Sequence, residues 1–120
     1  MRFRRAAREL VVARHPYLRV VDFGHVADGG MHFNLAWPDD AANRYDGDAV
    51  RVVRDQIYQL AVGDFGGSYS VEHGIGPHNV AWYRKFTAPA ALGLSARLQG
   101  MLDPHRLCGV VDLEPSLETA

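Results

Sequence analysis

"YLRVVDFGHVADGGMHFNLAW", residues 17–37, decides the fold. Two runs rich in β-branched and aromatic residues flank Asp28-Gly29-Gly30, the pattern of an antiparallel hairpin. With Asp28-Gly29 as the central pair of a two-residue type I′ turn, Ala27 pairs with Gly30, Val26 with Met31, and His25 with His32. The two imidazoles then face each other across the ladder, and Asn34, two residues beyond His32, shares their face. If Gly29-Gly30 is the turn instead, the two histidines no longer match.

Outward from the hairpin, the pattern becomes helical. Phe3, Ala6, Ala7, Leu10 and Val11 form one stripe, predicting a helix from about Phe3 to Arg14 that Pro16 stops. The Arg-rich, amphipathic N-terminus also matches part of a mitochondrial transit signal, but Glu9, the lack of serine and the direct run into a strand favour a core-covering helix. Residues 38–48 are a polar loop in which Asp46 or Asp48 can cap a second helix. Val50, Val53, Ile57, Leu60 and Ala61 give that helix its apolar side, and Gly63 can close it. "GSYSVEHG", residues 67–74, reads as a third strand with Glu72 and Tyr69 on opposite faces. A loop containing Gly74, Gly76 and Pro77 follows, and then a helix over 88–103 stopped at Asp103-Pro104. Residues 113–120 read as a flexible tail.

This order predicts an α+β fold. It is a ferredoxin-like antiparallel sheet with helices on one face, lacking its first strand, plus a C-terminal helix. Residues 1–112 then form a partial domain whose open sheet edge calls for a second copy or another partner, so a homo-oligomer is expected.

The chain has 120 residues, with 48% apolar and 22% charged, the composition of a folded protein. Its net charge of −1 argues against a nucleic-acid partner. No run approaches the about 18 apolar residues of a membrane span. Cys108 is the only cysteine, which excludes an internal disulfide and fits a cytoplasmic, reducing setting. It reads as a small core residue. His15, His78 and His105 read as surface or loop residues. Trp37, Trp82, Tyr83 and Phe86 read as packing beneath loops, and Arg84 and Lys85 as a solvated helix end.

Two cross-strand imidazoles can converge on one divalent ion or remain a polar surface pair. A third ligand would favour the metal, and Glu72 is the best candidate. His25, His32 and Glu72 would leave coordination positions open, as a catalytic site requires. His73 stands beside Glu72 as a possible general base. Gly74 and Gly76 leave room for a flat ligand.

"GHVADGGMHFN", followed some 40 residues later by "EHGIG" and then a helix ending in "LDP", resembles the C-terminal region of FAD-linked oxidases and dehydrogenases. The similarity is to the metal-dependent D-2-hydroxy acid branch, which includes D-lactate, glycolate and D-2-hydroxyglutarate enzymes, and it covers about Leu10 to Asp112. The resemblance implies a ferredoxin-like α+β substrate domain beside a separate FAD-binding domain or subunit. It implies zinc or manganese on His25, His32 and Glu72, substrate contact at Asn34, and His73 as the base that takes the hydroxyl proton. Ala27 and Gly30 stand where the family pattern has glycine and asparagine. Asn79 replaces a frequent lysine, and "GVVDL" the "NPGK" segment. The flavin domain is absent from these residues, so activity of this chain alone is not expected. Alternatives are a non-catalytic module that binds a metal or small acid and self-associates, and a small metallohydrolase using metal-bound water.

Overall fold

The computed structural model describes residues 2–25, 27–39, 45–108, 111 and 113. Among the described residues, four α-helices and a two-stranded antiparallel sheet make an α+β fold. The elements are α1 (Arg2–Arg14), β1 (Arg19–Gly24), β2 (Met31–Ala36), α2 (Gly47–Gln59), α3 (Gly76–Phe86) and α4 (Pro89–Leu102). The expected tail lies outside the described residues except at Leu113. Residues 1–69 and 70–120 form two compact units.

In the first unit, the stripe on α1 is buried as its spacing demands. Ala7 and Val11 are fully inaccessible and pack with Leu18, Val53 and Ile57, while Phe3, Leu10, Val20, Phe33 and Leu35 close around them. Helices α1 and α2 therefore share one face of the hairpin, the face carrying Val20, Phe33 and Leu35. A two-stranded ribbon is only marginally stable alone, so this core is what holds it. Val21 and Phe23 on the opposite face are exposed.

Asp22 also points to the helix side. Its carboxylate is covered by the guanidinium groups of Arg4 and Arg8, one turn apart on α1, and its side chain is only 1% accessible. The hydrogen bonds from Arg8 and then Arg4 hold its carboxyl far below the usual carboxylate range. His15, expected to be bland, joins the two helices. Its Nε2 is 2.9 Å from Gln56 Oε1, and Tyr17 Oη lies 3.4 Å from its Nδ1.

Asp46 caps α2, its carboxylate accepting the Asp48 N–H at 3.0 Å. Gly63 does not close this helix. The chain continues through one π-helical turn, Leu60–Asp64, and leaves it where Gly66 turns left-handed (φ 61°) and Gly67 N–H donates to Ala61 O at 2.8 Å.

The expected strand over 67–74 does not form; residues 71–73 bend and make no ladder. Left-handed glycines at 66 and 74 interrupt the extended backbone, and Ser70 Oγ donates to Gly74 O at 3.0 Å, folding the segment on itself. In the second unit, α3 occupies residues read as loop. Pro77 sits in its first turn, where a missing N–H costs nothing, and Trp82 and Tyr83 are buried on it with Leu92 of α4. Thus Trp82 and Tyr83 pack from within a helix rather than beneath a loop. Asp103 ends α4 and accepts the N–H groups of Leu107 and Cys108 at 2.7 and 2.8 Å. Cys108 is exposed, not part of the core, because this turn carries it away from the helix.

Candidate metal centre

The hairpin register differs from the type I′ expectation by two residues. Phe23 pairs with His32 and Gly24 with Met31, and the ladder closes through His25 N–H to Gly30 O at 2.8 Å. A type I′ turn needs left-handed backbone at Asp28 as well as Gly29. Among the described non-glycine residues only Arg106 has positive φ, and Gly29 alone turns left-handed here (φ 78°). Asp28 instead folds its side chain back to accept the Gly30 N–H at 2.8 Å, a side-chain turn that lengthens the connection.

A shift of one residue would have sent His25 to the other face; a shift of two preserves it. The histidines become diagonal neighbours rather than a facing pair. Their ring centroids are 5.5 Å apart at 51°, and their nearest ring nitrogens lie within 4.8 Å. His32 also stacks on Phe23 at 4.6 Å and 19°. Asn34, opposite Val21, is exposed on the same face.

Two imidazoles bound to one tetrahedral ion at about 2.0–2.1 Å place their nitrogens about 3.4 Å apart. The pair is close enough for small side-chain rotations to reach that spacing, and the donor set suits a borderline-soft divalent metal. His25 is accessible for such a movement, with its side chain 45% exposed.

Glu72 and His73 belong to the second unit, in the bent segment before α3, and both are exposed. Two side chains converge on the carbonyl that follows them: Ser70 Oγ, and Asn79 Nδ2 at 3.3 Å from Gly74 O. Asn79 therefore ties the loop to α3. Gly74 and Gly76 are left-handed (φ 62° and 47°), and an added Cβ at either would meet nothing within 4 Å. The backbone there needs glycine for conformation, and its surface is open to a flat neighbour.

Asp28 and Phe23 were missed as contributors. The Asp-Gly pair drew attention to turn type, whereas the side chain of Asp28 reaches His25. An aromatic residue in a strand run, as Phe23 is, carries no sequence signal that it will stack on His32.

A hairpin presenting paired imidazoles, in an α+β chain with a downstream Glu-His-Gly loop, fits the C-terminal domain of flavin-linked oxidoreductases. The chain belongs to the family "FAD linked oxidases, C-terminal domain", whose model matches residues 2–109. It is 33% identical over 93 residues to a D-2-hydroxyglutarate dehydrogenase of Xanthomonas citri pv. viticola, covering 78% of this chain and 20% of that protein. It is 33% identical over 87 residues to the mitochondrial D-2-hydroxyglutarate dehydrogenase of Danio rerio, covering 71% of this chain and 15% of that protein. It is 29% identical over 89 residues to a D-lactate dehydrogenase of Anaerostipes hadrus, covering 74% and 18%. The chain matches only 15–20% of the length of these relatives. No helix among the described residues is long and apolar enough to cross a membrane.

Proposed function

We propose that the chain is the metal- and substrate-binding portion of a flavin-dependent 2-hydroxy acid dehydrogenase. The carrying observation is the imidazole pair on the open hairpin face, His25 and His32, their rings 5.5 Å apart. Family membership and the D-2-hydroxyglutarate and D-lactate dehydrogenase relatives support the reaction class.

In this reading His25 and His32 hold a zinc or manganese ion with Glu72 as the third ligand. The ion supplies a Lewis acid that lowers the pKa of the substrate hydroxyl and fixes the acid's orientation. His73 takes the hydroxyl proton on a ring nitrogen. Asn34, on the face shared with His32, directs its amide to the substrate. Gly74 and Gly76 give a flat partner close access to the backbone. FAD, held by a separate domain or subunit, supplies the hydride acceptor.

Such a partner also suits two surfaces. Among the described residues the sheet has two strands, and α4 carries Leu94, Leu98, Met101 and Leu102 exposed, a large apolar stripe for a surface helix. We assign these to the flavin domain or a second copy, with further strands completing a ferredoxin-like sheet. Light scattering distinguishes self-association, expected at twice the chain mass or more, from a monomer that needs the flavin partner. The single cysteine remains compatible with a cytoplasmic setting.

Equilibrium dialysis against zinc tests the metal reading. One zinc per chain is expected, lost in His32→Ala while the far-ultraviolet spectrum is unchanged. Equal zinc uptake by parent and variant contradicts it.

A further inference from the structure

We infer that Asp28 is a positioning residue that sets the tautomer and aim of the His25 imidazole. The inference rests on the metal reading above and extends it to a residue outside the ligand set.

One carboxylate oxygen of Asp28 accepts the Gly30 N–H at 2.8 Å, and the other lies 3.2 Å from His25 Nδ1. The first bond holds the carboxylate in the turn, so the second is made from a fixed platform. A carboxylate can only accept, so His25 Nδ1 must carry the proton, and the lone pair of the neutral ring is then on Nε2. That nitrogen is the one able to bind a cation. A carboxylate behind a ligating imidazole also raises its basicity and fixes its plane.

A Cβ at Gly30 would lie 3.1 Å from Asp28 Oδ1, so the carboxylate would have to give by a few tenths of an ångström, whereas its 3.7 Å to His25 Nδ1 is ordinary contact.

Asp28→Asn separates the turn from the imidazole. Its carbonyl can still accept the Gly30 N–H, but its amide then offers His25 Nδ1 a donor, favouring the Nε2–H tautomer, whose one ring lone pair lies on Nδ1 and is engaged by that amide. The test uses the full chain, with zinc alone as the probe. Calorimetry reads affinity, and long-range proton–nitrogen NMR of the metal-free chain reads the His25 tautomer. The expected result is a 10- to 100-fold weaker zinc affinity, as for loss of a partner behind a metal ligand. The proton should shift from Nδ1 toward Nε2 while the Phe23–His32 ladder contacts persist. Asp28→Glu should recover part of the affinity. An Asp28→Asn chain that keeps the parent tautomer and zinc affinity overturns the role of Asp28. A parent chain that takes no zinc overturns the metal reading itself, an outcome visible before any variant is compared.

Discussion

Removing the charge of Asp22 should loosen the first unit in a pH-dependent way. In Asp22→Asn the side chain keeps its size, but its amide turns donor hydrogens toward Arg4 and Arg8, which can only donate. Charge-assisted hydrogen bonds contribute about 1.5–3 kcal/mol, and fully exposed ion pairs about 0.2–1 kcal/mol. Asp22 itself is covered, but the Arg4 and Arg8 side chains are 49% and 44% exposed, so solvent screens much of the attraction. The expected loss is therefore about 1–2 kcal/mol at neutral pH, between those limits. The native carboxyl is held low, so its contribution is complete above the ordinary carboxylate pKa near 4. Below that it declines progressively, and it is gone once pH passes the depressed native value. Urea unfolding of parent and variant should show a constant gap from pH 7 to about pH 5 that narrows toward pH 3. Molar salt should also reduce the gap, since screening then acts within about 3 Å. A variant as stable as the parent at pH 7, or a gap that grows on acidification, would refute the reasoning.

Two other substitutions probe the hairpin and the core beneath it. Gly24→Ala places a Cβ 2.6 Å from the Gly30 carbonyl oxygen, a backbone atom that cannot step aside. A loss of about 1–3 kcal/mol is expected, with faster hydrogen exchange at the His25 amide; unchanged exchange would show that the strands do not approach this closely there. Val11→Ala empties part of a fully inaccessible site and should lower stability by about 2–3 kcal/mol in denaturant titration, combining lost burial with a residual cavity. A change under about 0.5 kcal/mol would mean that Val11 does not anchor α1.

Helix α1 and the hairpin were legible because their signals are local and repeated. The apolar stripe from Phe3 to Val11 faces the core, and the alternation through Val20, Phe33 and Leu35 puts them on the face toward it. The register was less legible. Asp28-Gly29 suits a type I′ turn by propensity, but the carboxylate of Asp28 gains more from the Gly30 N–H, which moves the pairing by two. The even shift is why the shared face of His25 and His32 survived the error. Residues 67–74 alternate like a strand, but the glycines and the Ser70–Gly74 bond belong to a bend. Helix α3 was hidden by Gly76 and Pro77, read as loop residues when proline was in fact in the first helical turn. Contacts made by side chains within a turn, such as Asp28 with His25, leave no periodic trace in sequence.

X-ray absorption at the zinc edge of the loaded chain tests most directly whether two imidazoles and a carboxylate share one cation. The spectrum should fit two imidazole nitrogens and at least one oxygen at about 2.0–2.1 Å, with one imidazole contribution lost in His25→Ala and the occupancy reduced in Glu72→Gln. A spectrum fitted by water oxygens alone, unchanged by either substitution, would contradict it.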